Sequence, residues 1–337
     1  MTGSDKSSVT TAAQTKSPLA ERFRSSLQQI FVFAALVVIY IIFMIVAPNF
    51  ASPNIAFDIL QQAAFTGVMA LGATFVIATG GIDLSSGTGM TLVAVMAGVF
   101  LSGDYLNLML WLGLILTIGV GALIGFLNGV NIAILGLPPF IATLAMMMVA
   151  RGLALIISNK ASITIQNPGY SWIASGQLIP GVANAVLVFL VCAIVAAFLL
   201  NKTLLGRYSL AIGSNEEATR LSGVNVKFWK IVVYITAGIF IAIGAILYSG
   251  RFGFVQPAEG VGFELNVIAA VVIGGTSLAG GRATIIGTVV GALIMETLRK
   301  GLQMMGIAQE WQLVVTGIVV LAAVFVDNLR RQRAAAV

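Results

Sequence analysis

Few residues in this chain's apolar stretches have chemistry to offer, and most of those are carboxylates and amides. Asp83 stands in "TGGIDLSSG" (79–87), bracketed by Gly80, Gly81 and Gly87. An aspartate near the middle of a bilayer costs about 2.5–3.5 kcal/mol on insertion scales, so such a residue faces a bundle interior or water. Two roles fit Asp83: a charge in a gate or pathway, and the cap of a helix that breaks at the glycines. Arg151 interrupts "LAMMMVARGLALII" (144–157). It either snorkels to an interface or pairs with an acid. Asp58, Glu264 and Glu296 fall near the ends of apolar runs, where a carboxylate is more often interfacial than functional. An ion-coupled carrier would use Asp58, Asp83 or Glu264 as proton or cation sites.

A second group is polar and lies outside the apolar runs. "SNEEATRLSG" (214–223) puts three charges within five positions of a chain in which only 9% of residues are charged. Ser214 and Glu217 have the spacing of a capping box, in which hydroxyl and carboxylate satisfy each other's backbone amides. Glu216 and Glu217 suit the positive end of a helix dipole, Arg220 the far end, and Gly223 a left-handed stop. Asn215, Leu221 and Ser222 complete the segment. The pattern predicts a helix of about two turns, too short to be stable alone. It either lies on its own membrane domain or docks into a partner.

Other chemistries are excluded. The chain has no His and one cysteine, Cys192. That removes a disulfide framework, zinc sites of the Cys/His kind and any His-based triad. No GxxxxGK[ST] phosphate loop occurs, and no soluble stretch is large enough for an enzyme. No cofactor is therefore expected here; if transport consumes ATP, the ATPase is another chain.

The elements that must position these groups are membrane spans. Hydrophobic residues make up 59% of the 337 and mean hydropathy is +1.03, well above soluble domains. Apolar runs predict an all-α, polytopic bundle of about ten spans: 30–47, 55–79, 88–101, 109–131, 138–158, 184–200, 229–249, 264–275, 284–299 and 311–326. The third and eighth are short and read as broken or re-entrant. Residues 1–29 read as a disordered polar tail, with 30–47 a retained first helix rather than a cleaved signal. The transmembrane domain covers 30–328, and 329–337 form a second tail. Both tails and the 201–230 loop are basic, which puts them in the cytoplasm and demands an even number of spans. Arg299 and Lys300 then fall outside, against the trend. The net charge of +6 reflects these loops and their anionic lipid neighbours, not nucleic acid.

The 37 glycines include Gly121, Gly125 and Gly129, and Gly287 and Gly291, spaced for close helix contact within the chain or between subunits. There is also an internal echo. "VIATGGIDLSSG" (76–87) and "VVIGGTSLAGG" (271–281, with Gly274 and Gly275) each end an apolar run in Gly-Gly, a polar step, Leu and Gly. Matching helix breaks point toward a transport pathway.

Three ordered stretches carry a resemblance. "LGRYSLAIGSNEEATRLSGVNVKFWKI" (205–231) resembles the cytoplasmic coupling loop of the membrane permeases of ribose-type sugar ABC importers. "TGGIDLSSG" and "ELNVIAAVVIGGTSLAGGRATIIGTVVGALI" (264–294) resemble two further signatures of that family, and the likeness runs from about 30 to 328. Ser86 and Asn266 depart from the commoner Val and Asp. The resemblance implies a bacterial inner-membrane protein working as two copies. With them go a cytoplasmic ATPase that binds ATP and Mg and a periplasmic sugar-binding protein that does most of the selection. It also implies that residues 214–223, within the 201–228 coupling loop, seat in a cleft of the ATPase. A neutral sugar needs amide, hydroxyl and aromatic partners. Gln61, Gln62, Asn128, Thr143 and Asn266 lie within apolar spans and either line such a path or hydrogen-bond a neighbouring helix.

Overall fold

The computed structural model describes residues 18–335. Residues 1–17 of the polar tail, expected to be disordered, lie outside the described residues. The helices in chain order are α1 (Pro18–Val46), α2 (Pro53–Ala78), α3 (Ser86–Leu101), α4 (Leu110–Ala133), α5 (Pro139–Ile157), α6 (Pro168–Ser175) and α7 (Asn184–Lys202). Then come α8 (Leu204–Ser214), α9 (Glu216–Leu221), α10 (Val226–Phe252), α11 (Phe263–Ile273), α12 (Ile285–Met304) and α13 (Gln309–Ala335). A two-residue ribbon, β1 (Ile163–Thr164) antiparallel to β2 (Phe254–Val255), is the sheet among the described residues.

Each of the ten apolar runs falls on one helix. Six helices (α2, α4, α5, α7, α10 and the Gln309–Leu329 part of α13) are long and apolar enough to cross a membrane. Ile30–Val46 of α1, α3 and α11 are shorter apolar helices. The fold is an all-helical membrane bundle. α1 begins at Pro18, inside the polar tail, and α13 continues through 329–335, so both tails feed directly into helices.

The middle of the bundle is α2 and α10. The most apolar stretch of α2 is 83% buried, against 0% for α13, which sits at the edge. α10 packs along both α4 and α2, while α2 also meets α12, α7 and α11. Small residues allow the closest of these crossings. A Cβ on Gly125 would run into the Tyr234 carbonyl and one on Gly121 into Gly238, so α4 and α10 touch backbone to backbone and run antiparallel. Gly287 and Gly291 do the same against Gly274 and Ala270 of α11. Both stripes are thus spent within the chain.

α3 and α11 are nearly all apolar round their circumference, and such helices belong inside a bundle. α3 is buried along almost its whole length, and α11 from Val267 to Val272. The two ends of the bundle are told apart by what they carry. α8 and α9 crown the end where α2 stops and α10 starts. The ribbon and α6 crown the other, where Tyr170 meets Ser249 at 2.7 Å and Gly98 packs on Ile163.

Candidate functional site: two helix stops under a short helix

α2 and α11 end in the same way. The Gly80 N–H donates to Ile77 O (2.9 Å) and the Gly81 N–H to Val76 O (3.1 Å). In the second copy the Gly275 N–H donates to Val272 O (2.9 Å) and the Thr276 N–H to Val271 O (3.2 Å). Paired bonds of this spacing form a Schellman stop, whose first residue beyond the cap is left-handed. Gly80 (φ 79°) and Gly275 (φ 94°) hold that place. The sequence echo is therefore structural, with Gly80 equivalent to Gly275 and Gly81 to Thr276. Gly81 is small for another reason: a Cβ there would come 2.7 Å from the Tyr234 hydroxyl.

The two stops touch. The Gly281 N–H donates to Ala78 O at 2.9 Å. The end of α8 is wedged between them. A Cβ on Gly213 would collide with Ala78 O and come 2.9 Å from the Gly280 Cα, and one on Gly280 (φ 83°) would lie 2.7 Å from both the Gly213 Cα and the Gly80 nitrogen. Three backbones meet where no side chain fits. A single residue, Asn215, separates Ser214 from the start of α9. Gly213 carried no signal of its own in the sequence; only its place before the polar stretch marked it.

Asp83 braces the first stop. Its Oδ1 accepts from the Ser85 N–H (2.8 Å) and the Ser85 hydroxyl (2.6 Å), and the Asn128 amide donates to that hydroxyl at 2.8 Å. Asp83 is 6% exposed, so geometry gives it the capping role at a buried break. Thr143 ties the same loop to α5: its hydroxyl accepts from the Leu84 N–H and lies 3.1 Å from Ile82 O. Asn128 and Thr143 thus hold the loop. Tyr234, whose buried hydroxyl has no hydrogen-bond partner among the described residues, completes the surroundings; a lone tyrosine in an apolar run gave little warning of this.

The expected capping box is not formed. Ser214 is the last residue of α8, and the cap of α9 is Asn215, whose side chain accepts from the Ala218 N–H at 2.9 Å. The break between α8 and α9 falls at that asparagine, so the register shifts by one. Glu217 then faces Arg220 (2.5 Å), whose guanidinium holds its carboxyl below the usual carboxylate range. Glu216 reaches Lys230 on α10 (2.7 Å), and Thr219 is buried. These contacts pin a six-residue helix to the bundle, with Leu221 75% exposed.

The remaining candidates lie elsewhere. Gln62 and Asn266 line a cavity at the ribbon end of the bundle; Gln61 does not. Arg151 is exposed and pairs with no acid among the described residues. Asp58 is held by Arg251 (2.6 Å) and by Lys300, which ties α2 to α10 and α12. Both oxygens of Glu264 lie 3.1 Å from the Gly262 N–H, a local turn. The cations that broke the charge trend each have an acid nearby: Lys300 has Asp58, and Arg299 lies 4.0 Å from Glu296.

Residues 55–324 match the family described as branched-chain amino acid transport system / permease component. The chain belongs to this family. It is 40% identical to the ribose import permease protein of Escherichia coli (strain K12) over 304 residues, 88% of this chain and 92% of that one. The ribose import permease protein of Bacillus subtilis (strain 168) is also 40% identical, over 91% of this chain and 94% of its own. The galactofuranose transporter permease protein of Escherichia coli (strain K12) is 36% identical over 88% of each. No solved structure matches. The protein is thus a permease component of an ABC-type importer, a transport subunit rather than an enzyme. The ion-coupled alternative fails: its relatives are import permeases, Asp58 is already paired with two cations, and Asp83 and Glu264 serve as local caps.

Proposed function

We propose that this chain moves a sugar across the bacterial inner membrane as one of two identical permease subunits. A cytoplasmic ATPase, which binds ATP and Mg, drives it, and a periplasmic sugar-binding protein feeds it. Both termini lie in the cytoplasm. The observation that supports this best is the junction of Gly213 with Ala78 and Gly280: a force on α9 reaches both helix stops through α8 without an intermediate side chain. The stops lie at the inner mouth of the pathway and shift with the ATPase cycle. Ribose and galactofuranose, named for the relatives, support a sugar as the solute. Uptake into vesicles tests the reading. It should survive collapse of the proton gradient and stop on ATP depletion; the reverse would overturn it.

A further inference from the structure

The cavity at the ribbon end is built from the third and fourth turns of α2, the end of α10, the 259–262 loop, α11, the second half of α12 and the start of α13. Its volume is about 500 Å³, within the roughly 300–1,000 Å³ of small-molecule sites. We propose that it is a transit site holding one neutral, polyhydroxylated solute of monosaccharide size inside each permease subunit. The proposal rests on the importer reading above and adds where the solute pauses and what recognises it.

Three features carry it. Gln62, Asn266, Gln309 and Gln312 line the cavity from α2, α11 and α13, with Gln62 Nε2 also donating to Asp58 (3.4 Å) and Gln312 Nε2 to Ile307 O (2.8 Å). They offer donors and acceptors together without net charge, as a ring of hydroxyls requires. Tyr248, Phe252 and Phe263 form a contiguous aromatic wall, with ring centres 5.0 and 6.0 Å apart, against which the C–H face of a sugar ring packs. The third feature is Glu296. It is 2% exposed; Oε1 accepts from the Thr66 hydroxyl at 2.8 Å, while Oε2 is buried, lies 4.0 Å from an Arg299 nitrogen and has no hydrogen-bond partner among the described residues. A buried acceptor left without a donor is costly. A solute hydroxyl is the donor this oxygen lacks. An aliphatic amino acid fits poorly, since its carboxylate needs a free cation. Arg299, the cation here, already lies against Glu296 and over the Phe263 ring.

The test uses the whole importer, this chain with its ATPase and binding protein, in proteoliposomes. Asn266→Cys, Gln312→Cys and, outside the cavity, Ile179→Cys are made in a Cys192→Ser background. Their reaction rates with a methanethiosulfonate reagent are compared with and without ribose, galactose, galacturonate or leucine. A neutral sugar should slow Asn266→Cys and Gln312→Cys several-fold and leave Ile179→Cys unchanged, while galacturonate and leucine slow none. Adding Glu296→Gln, which keeps an oxygen for Thr66, should raise the half-protecting sugar concentration about tenfold, as loss of one hydrogen bond to a charged group implies. Equal rates at both cavity cysteines during ATP-driven sugar uptake would overturn the site and leave the importer reading standing; protection by leucine would overturn the solute class. If the Cys192→Ser parent took up no probe on ATP, the importer reading would fall and the site with it.

Discussion

A hydroxyl, an amide and a carboxylate decide the shape of the first helix stop. Asp83→Asn keeps an acceptor for the Ser85 N–H, so the variant should insert and retain partial ATP-driven uptake. Asp83→Leu leaves the buried Ser85 N–H and hydroxyl without that acceptor, a loss of about 1–3 kcal/mol, and should transport far less. Gly80 tests the stop itself. Asn enters the left-handed region more readily than other side chains, whereas a β-branched residue is forced into it at about 1–3 kcal/mol. Thermal stability and uptake should fall in the order Gly80, Gly80→Asn, Gly80→Val. Wild-type behaviour of Gly80→Val would show that the left-handed turn is not needed. What could be read in advance at this scale was residue type: Asp83 between glycines announced a break and its cap. The partners could not be read, because Ser85, Asn128 and Thr143 come together only through the packing of α3, α4 and α5.

The short helix α9 was legible as an element but not in its register. Ser214 and Asn215 are both good caps, and local spacing favoured the serine; the end of α8 settled it for Asn215. The shift has a consequence for proline. Glu217 lies in the first turn, where a missing N–H costs little. The Thr219 N–H instead makes the first bond inside the helix, to Asn215 O at 3.0 Å. Glu217→Pro should therefore keep coupling, while Thr219→Pro should break the helix and let ATP be hydrolysed without uptake. Comparing hydrolysis and uptake in the two purified complexes checks this, and equal coupling in both would remove α9 from the mechanism. The short helices α3 and α11 were visible as short apolar runs. Their interior position was not, because only the surrounding helices decide what is inside.

At the scale of the whole molecule, the ten apolar runs became ten helices because each run is bounded by glycine, proline or charge. How those helices lie relative to one another depended on glycine contacts that periodicity does not encode. The two ends of the bundle can be assigned by labelling. Ala279 is exposed beside α8 at one end and Ile179 at the other. In a Cys192→Ser background, an impermeant thiol reagent should reach Ala279→Cys from the cytoplasm only and Ile179→Cys from the opposite side only. The reverse pattern would invert the protein and the proposed coupling. Cross-linking in membranes should trap a pair of these chains. A transport-competent complex with a single copy would refute that assembly.

The meeting of Gly213, Ala78 and Gly280 is made of peptide backbone, with no charged group among the contacts. α9, by contrast, presents exposed Glu216, Glu217 and Arg220. Ionic strength acts on these two differently, since raising salt from 0.1 to 1 M shortens the screening length from about 10 to about 3 Å and leaves steric contact untouched. Concentrated salt should loosen the grip of the ATPase on the permease while the sugar carried per ATP, in complexes that remain assembled, stays constant. The protein would behave as a mechanical linkage with an electrostatic clasp.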